Sequence, residues 1–109
     1  MKNEVAVLYT IWPDAESAAS AGRIVVEERL CACVNILPPM RSIYRLGEAV
    51  EDAAEVPALF KTAADGAAAL KDRLLGLHPY ANACVLMLPV ASAGSSDAFR
   101  AWIAASVRG

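Results

Sequence analysis

The 109-residue chain is 57% hydrophobic and carries ten basic and twelve acidic side chains, a formal charge of −2 at neutral pH. Charges of both signs are interspersed, so the basic stripe that tracks a phosphate backbone is missing and no nucleic-acid partner is expected. No apolar run reaches spanning length, because residues 85–90 are few and include Pro89, so no membrane insertion is expected.

That length predicts a single domain over residues 1–109. A domain this small has much surface for its volume, so part of its apolar content is expected to face another subunit, although much of it is alanine. Met1, Lys2, Asn3 and Glu4 run straight into a strand pattern without the apolar core of a signal peptide. With three cysteines, an odd number, this predicts reduced thiols and a cytoplasmic protein.

Residues 4–11 are dense in Val, Leu, Tyr and Thr and predict a buried central strand, closed by Trp12 and Pro13. Asp14 is a natural N-cap, since its carboxylate accepts amide protons of a first helical turn. Ala18, Ala21 and Val25 then set one face of a helix that runs to about Leu30. Residues 32–46 read as strand, interrupted by Pro38 and Pro39. A turn at Gly47 and Glu48 leads into a second strand over 50–62, where Val56, Ala58 and Phe60 alternate with Glu55, Leu59 and Lys61. Pro57 lies inside it and predicts a bulge, or a hairpin reaching past the main sheet.

Ala67, Leu70 and Leu74 form the stripe of a second helix over 63–75, with Gly76 as its expected stop. Residues 83–90 read as the last strand. Gly94, Ser95, Ser96 and Asp97 then cap a final helix whose expected packing face is Phe99, Trp102 and Ile103. The order β-α-β-β-α-β plus a C-terminal helix predicts an α+β protein of the ferredoxin-like type. Its antiparallel sheet carries helices on one face and a long hairpin between the second and third strands.

Cys31 and Cys33 form Cys-x-Cys, whose i, i+2 spacing on a strand puts both thiols on one face. That suits a soft metal, while free cysteine also packs as a small hydrophobe; Cys33 is expected to be the buried one. His78, the single histidine, sits before Pro79 as a candidate ligand or as a histidine bonding loop carbonyls. Tyr44, Arg45, Lys61 and Tyr80 suit a small anionic ligand or an oligomer interface, or simply snorkel at strand ends. Nucleophile elbows, phosphate loops and metalloprotease helices are all missing, so no enzyme is expected.

Together, these segments resemble the CutA divalent-cation tolerance family. Glu28 through Ile36 match its E-[KR]-L-x-A-C-[VA]-N-[IL]; Ser42, Tyr44 and Arg45 match S-x-Y-[RYW]; Glu55, Val56, Lys61 and Thr62 match the next strand; His78-Pro79-Tyr80, Leu88-Pro89-Val90 and Trp102 match the remainder. Leu46 and Glu48 depart from the Trp and Gly that usually follow the tyrosine. Ala81, Asn82, Ala83 and Cys84 replace an acid- and proline-containing segment, and Tyr9 and Leu77 stand where copper-binding members carry ligands.

The resemblance implies a homotrimer that requires no cofactor and responds to metal ions, with at most weak binding of copper or another divalent cation. The candidate metal ligands are His78 and Cys33. Tyr44, Lys61 and Tyr80 are the candidate inter-subunit cleft. Two rival readings stand beside it. One is a trimeric metabolite-sensing module of the PII or ACT type; the other is an enzyme using His78 and Lys61 between subunits.

Overall fold

The computed structural model describes residues 3–107. Met1 and Lys2, the start of the stretch expected to run into β1 without a leader, lie outside them. In chain order the elements are β1 (Val5–Trp12), α1 (Ala15–Glu27), β2 (Cys33–Ile36), β3 (Met40–Leu46), β4 (Ala49–Ala63), α2 (Ala67–Leu77), β5 (Val85–Pro89) and α3 (Asp97–Ser106). The main sheet runs β2-β4-β1-β5, and β3 pairs with the outer half of β4. Every pairing is antiparallel. This is the ferredoxin-like arrangement expected from the element order, with the hairpin of β3 and β4 reaching past the sheet.

Side-chain alternation along β4 divides the molecule into two faces. Val56, Ala58, Phe60 and Thr62 are buried, and their partners across β1, namely Trp12, Thr10, Leu8 and Ala6, share that face. Ala18, Ala21 and Val25 of α1 and Ala67, Leu70 and Leu74 of α2 complete this core. Glu55, Leu59 and Lys61 take the opposite face, and Ile11, Tyr9 and Val7 of β1, partnered to Pro57, Leu59 and Lys61, share it. Among the described residues, α3 alone of the helices covers part of that second face: Ile103 is buried there with Val5 and Ala32. Phe99 and Trp102, expected to pack with Ile103, stay exposed within the chain.

Pro57 is accommodated where β4 changes partners. Ile36 pairs with Ala58 and Met40 with Glu55, so Leu37, Pro38 and Pro39 stand opposite only Val56 and Pro57. That extra residue is the expected bulge. Pro57 keeps its place opposite Ile11, and its carbonyl accepts the Leu37 amide at 3.0 Å. The missing proline donor therefore falls where the neighbouring chain is itself out of the ladder.

Helix α1 starts as expected, with the Asp14 carboxylate accepting the Ser17 amide at 2.7 Å. It ends in a Schellman pattern: the Leu30 amide donates to the Val25 carbonyl and the Arg29 amide to that of Val26, each at 3.0 Å. Arg29 takes the left-handed φ of 61° that glycine usually fills there. Helix α2 begins after a 3-10 turn at Ala64–Gly66 and runs through Gly76 to Leu77. The expected glycine stop gives way to Pro79, which forces the preceding His78 into extended backbone, φ −76° and ψ 137°.

Gly22 sets the distance between α1 and β2. A Cβ there would lie 2.7 Å from Cγ1 of Val34, a β-branched side chain with few rotamers to yield into. Gly22→Ala is expected to lower stability in urea unfolding by about 1–2 kcal/mol in spite of its better helix propensity. Val34→Ala in the same chain should recover part of that loss; a more stable Gly22→Ala protein would refute the close approach.

Candidate functional site

The junction between α2 and β5 is held by His78. Its imidazole is 8% exposed and stacks on Trp12 with ring centroids 4.1 Å apart and planes 25° from parallel. Nε2 lies 2.6 Å from the Ile11 carbonyl, and the Tyr80 amide donates to Nδ1 at 3.1 Å. A carbonyl only accepts and an amide N–H only donates, so the ring is neutral with its proton on Nε2. Both nitrogens are engaged. Of the two expected roles, ligand or carbonyl-bonding histidine, the ring takes the second within this chain, as a clamp that ties the loop to the end of β1.

Trp12 is fully buried beneath the stack. Its indole Nε1 donates to the Thr10 hydroxyl at 2.6 Å, and that hydroxyl donates to the Ala58 carbonyl at 2.8 Å. On the outer side the Tyr80 ring tilts against His78, centroids 5.0 Å apart. The Tyr80 hydroxyl donates to Oε2 of Glu55 at 2.9 Å. Burial, followed by that hydrogen bond and the Glu55 charge, pushes the Tyr80 phenol up to about 12, so it remains a donor through neutral pH. A continuous series of contacts leads from core indole to surface carboxylate.

Glu55 and Tyr80 open into a groove of about 710 Å³ whose walls include Tyr9, Ile11 and Tyr44. The volume is that of a small-molecule site. Two members of the candidate cleft, Tyr44 and Tyr80, meet here. Lys61 does not: it lies under α3, its ammonium 5.5 Å from the Phe99 ring centroid. Separation along β4 explains this, since Glu55 and Lys61 share a face but are six residues apart, roughly 20 Å of extended chain. Glu55 and Tyr9 were not among the expected site residues. Twenty-five positions separate Glu55 from Tyr80, and no local signal joins them; the match of Glu55 to a family pattern was the one pointer.

The thiols reverse the expected order. Cys31 is the buried one, its Sγ 3.0 Å from the Cys33 carbonyl and 3.4 Å from that of Lys61. Burial pushes its thiol up to about 12. Cys33 is only half-buried. It opens β2 opposite Lys61, while its neighbour Val34 lies opposite Phe60. The same-face placement expected from i, i+2 spacing fails because β2 begins at Cys33 and the chain bends at Ala32. Cys31 thereby enters the helix-side core and Cys33 the other face. Cys84 is held up from the ordinary thiol range by burial and by Glu55.

Among the described residues no three His, Cys, Asp or Glu side chains gather as a metal would need. Within one chain, His78 and Cys33 are not brought together: His78 closes on the C-terminal end of β1, and Cys33 faces Lys61, whose β1 partner is Val7. The donor set therefore does not fit a resident divalent cation within a single chain.

Fold and site define a class: a small ferredoxin-like α+β protein with an aromatic groove on a largely uncovered sheet face. The comparisons place it more narrowly. The model of the family described as CutA1 divalent ion tolerance protein matches residues 6–106. The divalent-cation tolerance protein CutA of Thermus thermophilus is 46% identical over 89 residues, 81% of this chain and 84% of that protein. Its namesake in Pectobacterium atrosepticum is 36% identical over 105 residues, 96% and 94% of the two. The human protein CutA is 38% identical over 86 residues, 79% of this chain but 48% of that protein, so the chain spans about half of it. Among solved structures, CutA1 of Thermus thermophilus superposes with a TM-score of 0.89 at 34% identity, covering 95% of this chain and 99% of the other. CutA1 of Oryza sativa gives 0.90 at 28% identity, covering 96% and 94%. The chain belongs to the CutA1 divalent ion tolerance family.

Removing the clamp is expected to be costly. His78→Ala should lower stability in urea unfolding by about 2–3 kcal/mol, from a lost buried hydrogen bond and a lost aromatic stack. Trp12 fluorescence should shift as its imidazole cover goes. A loss below about 0.5 kcal/mol would contradict the clamp. Thiol labelling of the native protein near pH 8, mapped by mass spectrometry, should modify Cys31 last, since the thiolate is the reacting form. Early labelling of Cys31 would contradict its burial.

Proposed function

We propose that this chain acts as a homotrimeric, non-enzymatic scaffold or binding protein of divalent-cation tolerance, contributing to the response to metal ions without a tightly held metal of its own. The observation that carries the assembly is the unpartnered apolar edge. Leu86, Met87 and Leu88 of β5 are 59%, 49% and 48% exposed, and Ile43, Leu46 and Val50 of the hairpin are 63–66% exposed. Edge strands of this kind invite pairing with another chain, and closing three sheets on one another removes the edges.

The tolerance role rests on the family. The weak-metal reading rests on the engaged nitrogens of His78 and the buried, protonated Cys31 thiol. A cation held by the assembly would need donors from more than one subunit. The same engaged histidine supports a non-catalytic role, because the usual nucleophile–base pairs need a free base. Three free cysteines support a cytoplasmic setting. No helix among the described residues is long and apolar enough to cross a membrane. The CutA of Archaeoglobus fulgidus is described as periplasmic, so cell fractionation is the direct check on compartment.

Light scattering at micromolar concentration should return a trimer mass, and Leu88→Lys on the β5 edge should shift it toward monomer. A wild-type monomer would overturn the assembly. Titration with Cu(II), with Zn(II) beside it, should give affinity weaker than about micromolar, roughly −8 kcal/mol at standard state. Tighter stoichiometric binding would overturn the weak-metal reading.

A further inference from the structure

Tyr44, Lys61 and Tyr80 together suggest an anion, because the lysine would supply the charge. In the folded chain a carboxylate takes the place expected of that lysine. Lys61 sits under α3 against Phe99, and the group that joins Tyr44 and Tyr80 in the groove is the Glu55 carboxylate. Arg41 and Arg45 also border this groove, but both alternate to the other face of the ribbon from Tyr44. Arg41 is moreover tied to Asp52 there, with its Nε and Nη2 2.8–3.1 Å from the carboxylate oxygens.

We propose that the groove binds a small organic cation, an alkylated ammonium of about choline size, held over the rings of Tyr9, Tyr44 and Tyr80 and facing the Glu55 carboxylate. This goes beyond the tolerance reading and does not depend on it. Ring faces carry negative quadrupole potential and attract an ammonium within about 6 Å, most strongly where water is partly excluded. Glu55 is half-buried and uses Oε2 to accept from Tyr80, which orients the carboxylate while its Oε1 edge adds a full negative charge. The clamp on His78 fixes the Tyr80 backbone, so two of the four groups are positioned before any ligand arrives. Such preorganisation lowers the ordering cost of binding. An alkylated ammonium suits the site better than an ordinary metal cation, which would require several oxygen, nitrogen or thiolate donors converging on one point.

Calorimetric titration of the assembled protein with choline, with acetate as the anionic control, tests this. Saturable heat with choline and none with acetate is expected. Glu55→Gln keeps an acceptor for the Tyr80 hydroxyl but removes the charge, and should weaken choline binding roughly tenfold. Tyr44→Ala should weaken it similarly, whereas Tyr44→Phe, which keeps the ring face, should retain it. Both positions lie outside the core, and circular dichroism with light scattering verifies that each variant folds and assembles as the parent does. The proposal is overturned by absent saturable choline binding, which is also the outcome if a neighbouring subunit fills the groove. Acetate bound in place of choline, or Glu55→Gln binding choline as tightly as the parent, overturns it equally.

Discussion

The fifteen residues of β4 are shared among three other strands, and the rest of the molecule is arranged around that sharing. Its inner half lies between β1 and β2, and its outer half pairs only with β3. A continuous strand can change neighbours only where the ladder tolerates an interruption. Here the interruption is placed at Pro57, Pro38 and Pro39, three residues with no amide proton to lose. Because β4 itself does not break, its side-chain alternation carries unchanged from the sheet into the hairpin. Glu55 at the mouth of the groove and Lys61 beneath α3 therefore sit on the same face, at opposite ends.

Two helices cover one side of this sheet, and a single short helix covers one end of the other. The uncovered remainder is apolar, yet it is bordered by a carboxylate and three tyrosines rather than by a uniform hydrophobic surface. Those polar edges give the face chemical character, and the strand β5 and the hairpin leave large apolar side chains exposed. Both features arise from one cause. The three α-helices among the described residues do not supply the material to cover both faces of five strands.

His78 illustrates how a residue type leaves its role open until its partners are known. In sequence it is the one imidazole in a chain related to divalent-cation tolerance proteins, placed next to a conformationally restricting proline. In the fold, a carbonyl from β1 and an amide two residues ahead take up both nitrogens, and an indole covers one ring face. The side chain that suggested chemistry supplies rigidity, and it passes that rigidity to Tyr80.

The sequence by itself determined the features that depend on neighbours a few positions apart. These include the Asp14 cap, the apolar stripes of α1 and α2, the alternation along β4, the break at Pro38 and Pro39, and the motifs that carry the family. Each is set by local backbone geometry and by a repeat of 3.6 or 2 residues. Only the tertiary structure decided the end of α2, which Pro79 imposes after Gly76 is passed, and the exchange of roles between Cys31 and Cys33 across the bend at Ala32. It alone placed Glu55, and not Lys61, with Tyr44 and Tyr80. Those outcomes depend on groups tens of residues apart being brought together by the register of β4, and no periodicity within a segment reports which distant carbonyl, ring or carboxylate a side chain will meet.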